Sequence, residues 1–303
     1  MAATLFFVSI LVFVVIRVLP GDPAALIFGT QGDPQAIARL REAMGLNRPL
    51  GVQYVDWLAH ALRGDFGVSI QYDVPVGSLI ASRLPVTLPL TLLAAFFMVT
   101  AAVPLGVFAA THHRRAGDYL TMVISQLGVA VPAFWAGLLL ILLFSVHLGW
   151  FRSGGFDGWS AGPWRGVRSL LLPAFALGFF QAAVLVRATR SAVLEVLREE
   201  YVRTARAKGV AERYVLAKHT LRNAMIPIVT VAGIQLGQLI AGAIVLESVF
   251  ALPGLGRLAL GAIAARDLPV VQGVTLFVAG SIVFINFTVD LLYGVLDPRI
   301  RYE

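Results

Sequence analysis

The sequence predicts an all-α, polytopic membrane protein with six transmembrane helices and a helix-turn-helix loop on the cytoplasmic side. Three observations carry that prediction. Of 303 residues, 58% are hydrophobic and 14% charged, with a mean hydropathy of +0.82, whereas a soluble domain carries about 25% charged residues. The apolar residues fall in long uncharged blocks rather than in amphipathic stripes, so a bilayer suits them as solvent. The basic residues gather in two of the connections, which sets an orientation.

A helix needs about 20 apolar residues to cross the hydrocarbon. Five stretches without Asp, Glu, Lys or Arg meet that need: Val86 to Ala110, Tyr119 to Leu148, Ser169 to Val186, Ala224 to Leu246 and Leu268 to Val289. A sixth, Ala2 to Ile16, ends at Arg17. A cleaved signal peptide would carry basic residues before the block and a small-residue cleavage pattern after it. Neither is found, so the block is taken as a span. Its shortness predicts either an Arg-rich segment upstream in the natural protein or a first helix drawn inward.

Nine Lys or Arg residues lie between Arg187 and Arg222, and Arg114 and Arg115 occupy the short 111–118 connection. By the positive-inside rule these two segments face the cytoplasm. The 65-residue stretch from Pro20 to Leu84 has five Arg against six acidic residues and reads as the translocated side. Both termini then lie in the cytoplasm. A pI near 10.2 also raises nucleic-acid binding, but no soluble module organises these charges, so no nucleic-acid partner is expected.

The 20–84 stretch opens with Gly21-Asp22-Pro23. It predicts a short helix with Asp33 as N-cap, Pro34 at the first position and Gly45 past the end. A second helix follows, where Val52, Val55, Leu58 and Leu62 form an apolar face that needs cover. The stretch is therefore expected to fold as a cap. The 149–169 connection, with Trp150, Trp159 and Trp164, suits a chain lying at the membrane interface. Pro253-Gly254-Leu255-Gly256 is a turn signal in the fifth connection.

Within the spans, Gly233, Gly237 and Ala241 recur at the spacing that allows close helix approach. Gln126, Gln181, Gln235, Gln238 and Asn286 are polar at membrane depth and need protein or water beside them. Gln181, Gln235, Gln238 and Asn286 are candidates for a translocation path, with bonding between helices the alternative for each. Glu247, Asp267 and Asp290 sit at span ends, so the mid-membrane charges that proton or sodium pumps use are scarce.

Several chemistries lack their residues. The two lysines, Lys208 and Lys218, are followed by Gly and His, so no phosphate-binding loop ending in Gly-Lys-Ser/Thr exists. There are no cysteines, hence no disulfide, thiolate metal site or Cys nucleophile. The adjacent His112 and His113 lie in a basic turn and are not read as metal ligands. No nucleophile-elbow or zinc-protease pattern appears. The chain is therefore expected to be no enzyme, with no catalytic, metal or cofactor site, and any transport it performs needs energy from a partner.

Between the fourth and fifth spans, residues 191–208 are good helix formers ended by Gly209, which suits a left-handed cap. A second helix from about Ala211 leads into the fifth span. A solvated loop meeting anionic lipid is one reading of this segment. The small residues Ala205 and Ala207 beside the cap suggest instead close contact with another protein.

Here the sequence resembles the membrane subunits of binding-protein-dependent ABC importers, whose loop signature is Glu-Ala-Ala, three residues, Gly, nine residues, then Ile-x-Leu-Pro. Gly209 and Leu221 match; Arg203, Thr204, His219 and Arg222 depart. Tyr201 to Gly209 and His219 to Ala224 are similar to the subgroup of peptide and nickel permeases, of the dipeptide and oligopeptide kind. So are Gly21-Asp22-Pro23, Gly64-Asp65-Phe66-Gly67-Val68-Ser69, Pro253-Gly254-Leu255-Gly256 and Asp297-Pro298-Arg299.

The resemblance implies a single permease domain over 1–303, with an extracytoplasmic cap at 20–84 and a cytoplasmic coupling loop at 195–222. It implies a bacterial or archaeal inner-membrane location. Partners would be a homologous second permease subunit, two cytoplasmic ATPase subunits that hold ATP and Mg, an extracytoplasmic solute-binding protein and membrane lipid. The cargo would be a di- or oligopeptide, with nickel, glutathione or another small solute as alternatives. Thr204, Ala205, Arg206, Ala207, Lys208 and Gly209 would couple to the ATPase. A secondary transporter or channel, and a scaffold without transport, are the rival readings.

Overall fold

A computed structural model describes residues 2–18, 33–43 and 47–296. Gly21-Asp22-Pro23, Gly45 and Asp297-Pro298-Arg299 lie outside the described residues. The described residues are built almost wholly from helices and fall into two compact units, 1–86 with 253–283, and 87–252 with 284–303.

In the first unit, α1 (Ala2–Val18) is an apolar helix of 17 residues. Helix α2 (Pro34–Ala43) begins where Asp33 Oδ1 accepts the Gln35 amide at 3.1 Å, the expected N-cap. Helix α3 (Leu50–Leu62) packs on α1, but not by the face expected. Of the expected face, Val52, Val55 and Leu62 are exposed and Leu58 is half-buried, whereas Gln53 and Ala61 are buried. The reason is aromatic: Phe13 of α1 meets Tyr54 and Trp57 at ring-centroid distances of 5.4 and 5.8 Å, and Ser9 Oγ bonds the Tyr54 hydroxyl at 2.7 Å. Rings of that size bury more area than the valines they displace from the contact.

The rest of this unit is an apolar core in which Val76 and Ile80 pack with Leu255, Leu258, Ala262, Val270 and Val274. It joins the start of α4 (Val76–Thr111) to a short helix and to the start of the last long helix, given below. A hairpin-like turn over 67–75 is fastened to that core by Asp267, which is 1% exposed. Its carboxylate accepts Ser69 Oγ–H at 2.5 Å and the Ile70 and Gln71 amides at 3.2 and 3.1 Å. A buried carboxylate is tolerable because these donors replace its water.

In the second unit, α5 (Ala116–Ala130) and α6 (Ala133–Leu140), the latter prolonged by a π-helical segment Ile141–His147, occupy the stretch read as the third span. They are bent by 102° where one straight helix was expected. Pro132 supplies the cause. It lacks an amide to continue the ladder and forces Val131 out of the helical region, to ψ 126.

Helix α7 (Pro163–Leu197) is the hub, packed against α5, α6 and α10 (Arg222–Val249). Close approach is bought at single positions: a Cβ on Gly178 would lie 2.4 Å from the Ala94 carbonyl oxygen, and one on Gly233 would lie 2.7 Å from Val289. Of the small-residue stripe, Gly233 thus makes a tight contact with the last helix, while Ala241 is exposed. Helix α7 is followed by α8 (Glu200–Ala207) and by a turn of α9 (Glu212–Tyr214) that continues as a π-helical segment Val215–Leu221 into α10. Helices α11 (Leu255–Ala265) and α12 (Leu268–Leu296) complete the chain.

Four helical stretches are long and apolar enough to cross a membrane: 76–111, 163–197, 212–249 and 268–291; the bent pair makes a fifth if it is one span. Helix α1 is shorter than these, so the described helices give four or five candidate spans rather than six. The apolar 18-residue stretch of α7 is 61% buried and that of α12 17%. The apolar side chains left exposed on such helices would be a liability in water and are ordinary in lipid or against a partner.

Candidate coupling site and translocation path

The turn after α7 starts with a break. The single helix expected over 191–208 stops at Leu197 and restarts at Glu200, because Glu199 is extended (ψ 144) and serves as the N-cap of α8. At the other end, Gly209 has φ +75, the left-handed conformation expected of it. Its amide donates to the Arg206 carbonyl at 2.9 Å, and the Val210 amide to the Ala205 carbonyl at 3.2 Å. Those two bonds are the Schellman pattern, with Val210 packing back beside Ala205.

A small apolar core holds this turn on its own. Val202 and Val215 are fully buried and Ala205 is 8% exposed, with Val196, Leu197 and Val210 around them. Ala205 therefore packs inward, contrary to the expectation of outward contact. Thr204, Arg206, Ala207, Lys208 and Gly209 are exposed together.

Polar bonds brace the same turn. Arg206 reaches across it to Glu212, Nε to Oε2 at 3.1 Å and Nη2 to Oε1 at 2.6 Å. Asn223 Nδ2 donates to the Tyr201 hydroxyl at 2.6 Å, which in turn donates to the His219 carbonyl at 3.2 Å. These tie α8 to the base of α10. The turn is thus a rigid, basic projection rather than a loose loop.

A second clasp joins the 111–118 connection to α7. Asp118 is 2% exposed. It receives Arg190 Nε at 2.6 Å and Nη2 at 2.7 Å, and the Arg114 amide at 3.0 Å. His113 Nδ1 lies 3.1 Å from the same carboxylate. Sequence reasoning counted Arg190 only as charge and missed its partner. The available signal was that Asp118 is the single acidic residue of that basic connection.

The candidate path residues differ in exposure. Gln235 is 7% exposed and Gln181 is half-buried, whereas Gln238 and Asn286 are exposed. Gln126 accepts from Arg187 Nη1 at 3.3 Å, an interhelical bond. Near the end of α10, Glu247 is fully buried and accepts Thr87 Oγ1–H at 2.6 Å. Among the described residues no group of three His, Cys, Asp or Glu could hold a metal ion.

Long apolar helices with a braced basic turn between two of them define a polytopic membrane protein. The chain belongs to the binding-protein-dependent transport system inner membrane components, whose family description matches residues 102–302 while the N-terminal description of the same systems matches 1–91. It is the permease of an ABC importer. A protein named as a peptide transport system permease of Brucella abortus (strain 2308) is 47% identical over 98% of this chain and 94% of its own length. The glutathione transport system permease protein GsiC of Escherichia coli (strain K12) is 45% identical over 99% of this chain and 95% of its own. In fold, the chain is similar to a subunit of the inward-facing MetNI methionine ABC transporter, with TM-score 0.60 and 21% identity over 72% of this chain and 96% of that one.

Proposed function

We propose that the chain is the permease that moves di- or oligopeptides inward, received from an extracytoplasmic solute-binding protein and driven by ATP bound with Mg in two cytoplasmic ATPase subunits. A homologous second permease subunit completes the path. The observation that carries this reading is the braced turn at Gly209. It presents Thr204, Arg206, Ala207, Lys208 and Gly209 outward on a rigid base, as a surface that passes force to α10 must. Ala205 serves from within, by fixing α8. Relatives named for peptide and glutathione transport, at 45–47% identity over nearly the whole chain, favour a peptide cargo over nickel.

Both units belong to one permease domain over 1–303, embedded in the inner membrane with membrane lipid around it. Six spans cross it, α1 and the bent α5–α6 pair included, and both termini are cytoplasmic. The 195–222 turn then faces the ATPases and the 20–84 cap faces the binding protein. Gln181, Gln235, Gln238 and Asn286 border the path, the exposed pair Gln238 and Asn286 lying where a second permease would cover them. The chain itself binds no ATP, metal or nucleic acid.

The test is uptake of labelled dipeptide, glutathione and nickel by vesicles holding the reconstituted complex, with ATPase activity measured as loaded binding protein is added. Peptide uptake that requires ATP is expected. Uptake without an ATPase would establish a secondary transporter instead, and nickel uptake without peptide uptake would reject the cargo.

A further inference from the structure

The 149–162 connection joins the end of the Ile141–His147 segment to the start of α7, both parts of candidate spans, and the topology proposed above, on which this inference rests, puts it at a membrane–water boundary. It is a built structure rather than a bare link. The Gly155 amide donates to the Phe250 carbonyl at 2.8 Å, and a Cβ on Gly154 would stand 2.7 Å from that same oxygen. Phe250 is 1% exposed, so the floor is fixed. Above it is a cleft of about 400 Å³ lined by Trp150, Arg152, Asp157, Arg165, Arg168 and Phe250 among others.

The charges of this cleft do not cancel. Arg152 is paired with Asp157, the one acid in the lining. Arg168 Nη2 donates to the Trp150 carbonyl at 2.8 Å, which orients its guanidinium without neutralising it. Among the described residues, Arg165 makes no ion pair or hydrogen bond through its side chain. Three guanidinium groups against one carboxylate leave two positive charges around a concave space. Trp150 of the lining is 56% exposed, and Trp164, next to Arg165 in the chain, is 69% exposed, as interfacial anchors are.

From this arrangement we propose that the cleft is a binding site for the phosphodiester headgroup of an anionic phospholipid, with Arg165 and Arg168 as its principal ligands. Guanidinium forks match phosphate oxygens in pairs, and a cleft at the membrane surface meets lipid phosphates at far higher local concentration than any soluble anion. The aromatic side chain of Trp150 lies against the upper acyl chains, and the Gly154–Phe250 contact fixes the floor of the site.

Photo-crosslinking tests this with the full chain and its accompanying subunits in phosphatidylcholine vesicles, using phosphatidylglycerol that carries a photoreactive group near its headgroup. Mass spectrometry should place adducts in 149–169, and unlabelled phosphatidylglycerol should compete where phosphatidylcholine does not. Arg165→Gln should lower the adduct yield about threefold, the scale of one exposed charge pair. Arg165→Lys should restore part of it, and Arg115→Gln, in another connection, should change nothing. Equal competition by phosphatidylcholine, or unchanged yield in Arg165→Gln, overturns the site. Competition by millimolar inorganic phosphate but not by phosphatidylglycerol overturns the lipid as its ligand.

Discussion

Arg190 holds Asp118 with two guanidinium nitrogens, Nε on Oδ1 at 2.6 Å and Nη2 on Oδ2 at 2.7 Å, and so ties the start of α5 to α7. The carboxylate side chain is 3% exposed and the arginine 20%. Removing one partner of a buried pair strands the other and costs about 3 kcal/mol or more. Asp118→Ala should therefore lower the thermal unfolding temperature of the purified subunit, and Arg190→Lys should recover little, since an ammonium cannot make the two-pronged contact. An unchanged melting curve for Asp118→Ala would show the clasp to be energetically idle.

At Gly209 the conformation rather than the space is limiting. Nothing stands within 4 Å of an added Cβ, but φ is +75. Asn tolerates the left-handed region and β-branched residues do not. We expect Gly209→Asn to transport near the parental rate and Gly209→Val to lose both uptake and ATPase stimulation by loaded binding protein. Equal activity of the two would remove the left-handed cap from the coupling mechanism.

Ala205 and Ala207 separate folding from contact. Ala205 is 8% exposed and packs with Val202 and Val215, so Ala205→Glu buries a charge and should reduce the amount of folded protein. Ala207 is exposed. Ala207→Glu should insert and fold normally, yet weaken ATPase co-purification or stimulation, because the carboxylate is forced into a protein interface. Parental transport by Ala207→Glu would leave the turn as a topological anchor only.

The cap offers a test of which face of α3 is the inner one. Trp57→Ala removes the ring that meets Phe13 at 5.8 Å and should destabilise the α1–α3 pair by about 3 kcal/mol. Leu62→Asp, at a position 81% exposed, should leave the pair folded. Protection of the cap from limited proteolysis reports both. Greater damage from Leu62→Asp would restore the face expected from sequence.

Orientation can be measured directly, as the chain has no cysteine of its own. Cysteine placed at Gln35 should react with an impermeant thiol reagent from outside, and cysteine at Arg213 only after the membrane is opened. Both positions are exposed. Labelling of both from one side contradicts the six-span topology.

The parts legible from sequence were those where one residue dictates the backbone. Gly209 had to end a helix, Asp33 had to cap one, and uncharged runs of 18 or more residues had to be helical. The bend at Pro132 was equally available and was hidden by the continuity of the uncharged run around it. The α3 face failed for a different reason. Spacing identifies an apolar stripe, but which stripe is covered depends on the partner, and Phe13 selected Tyr54 and Trp57. The Asp118–Arg190 pair joins residues 72 apart in the chain, which no local pattern announces.

Helix 212–249 has a mechanical consequence. Its 38 residues span about 57 Å at 1.5 Å per residue. The base lies in the exposed turn beyond Gly209, and the far end lies at the buried Glu247, held by Thr87. A rod of that length turns a tilt of about 5° at the base into a sweep of about 5 Å at its tip. On the proposed coupling such a helix acts as a lever arm whose gain comes from its length, with the π-helical segment Val215–Leu221 inside its base.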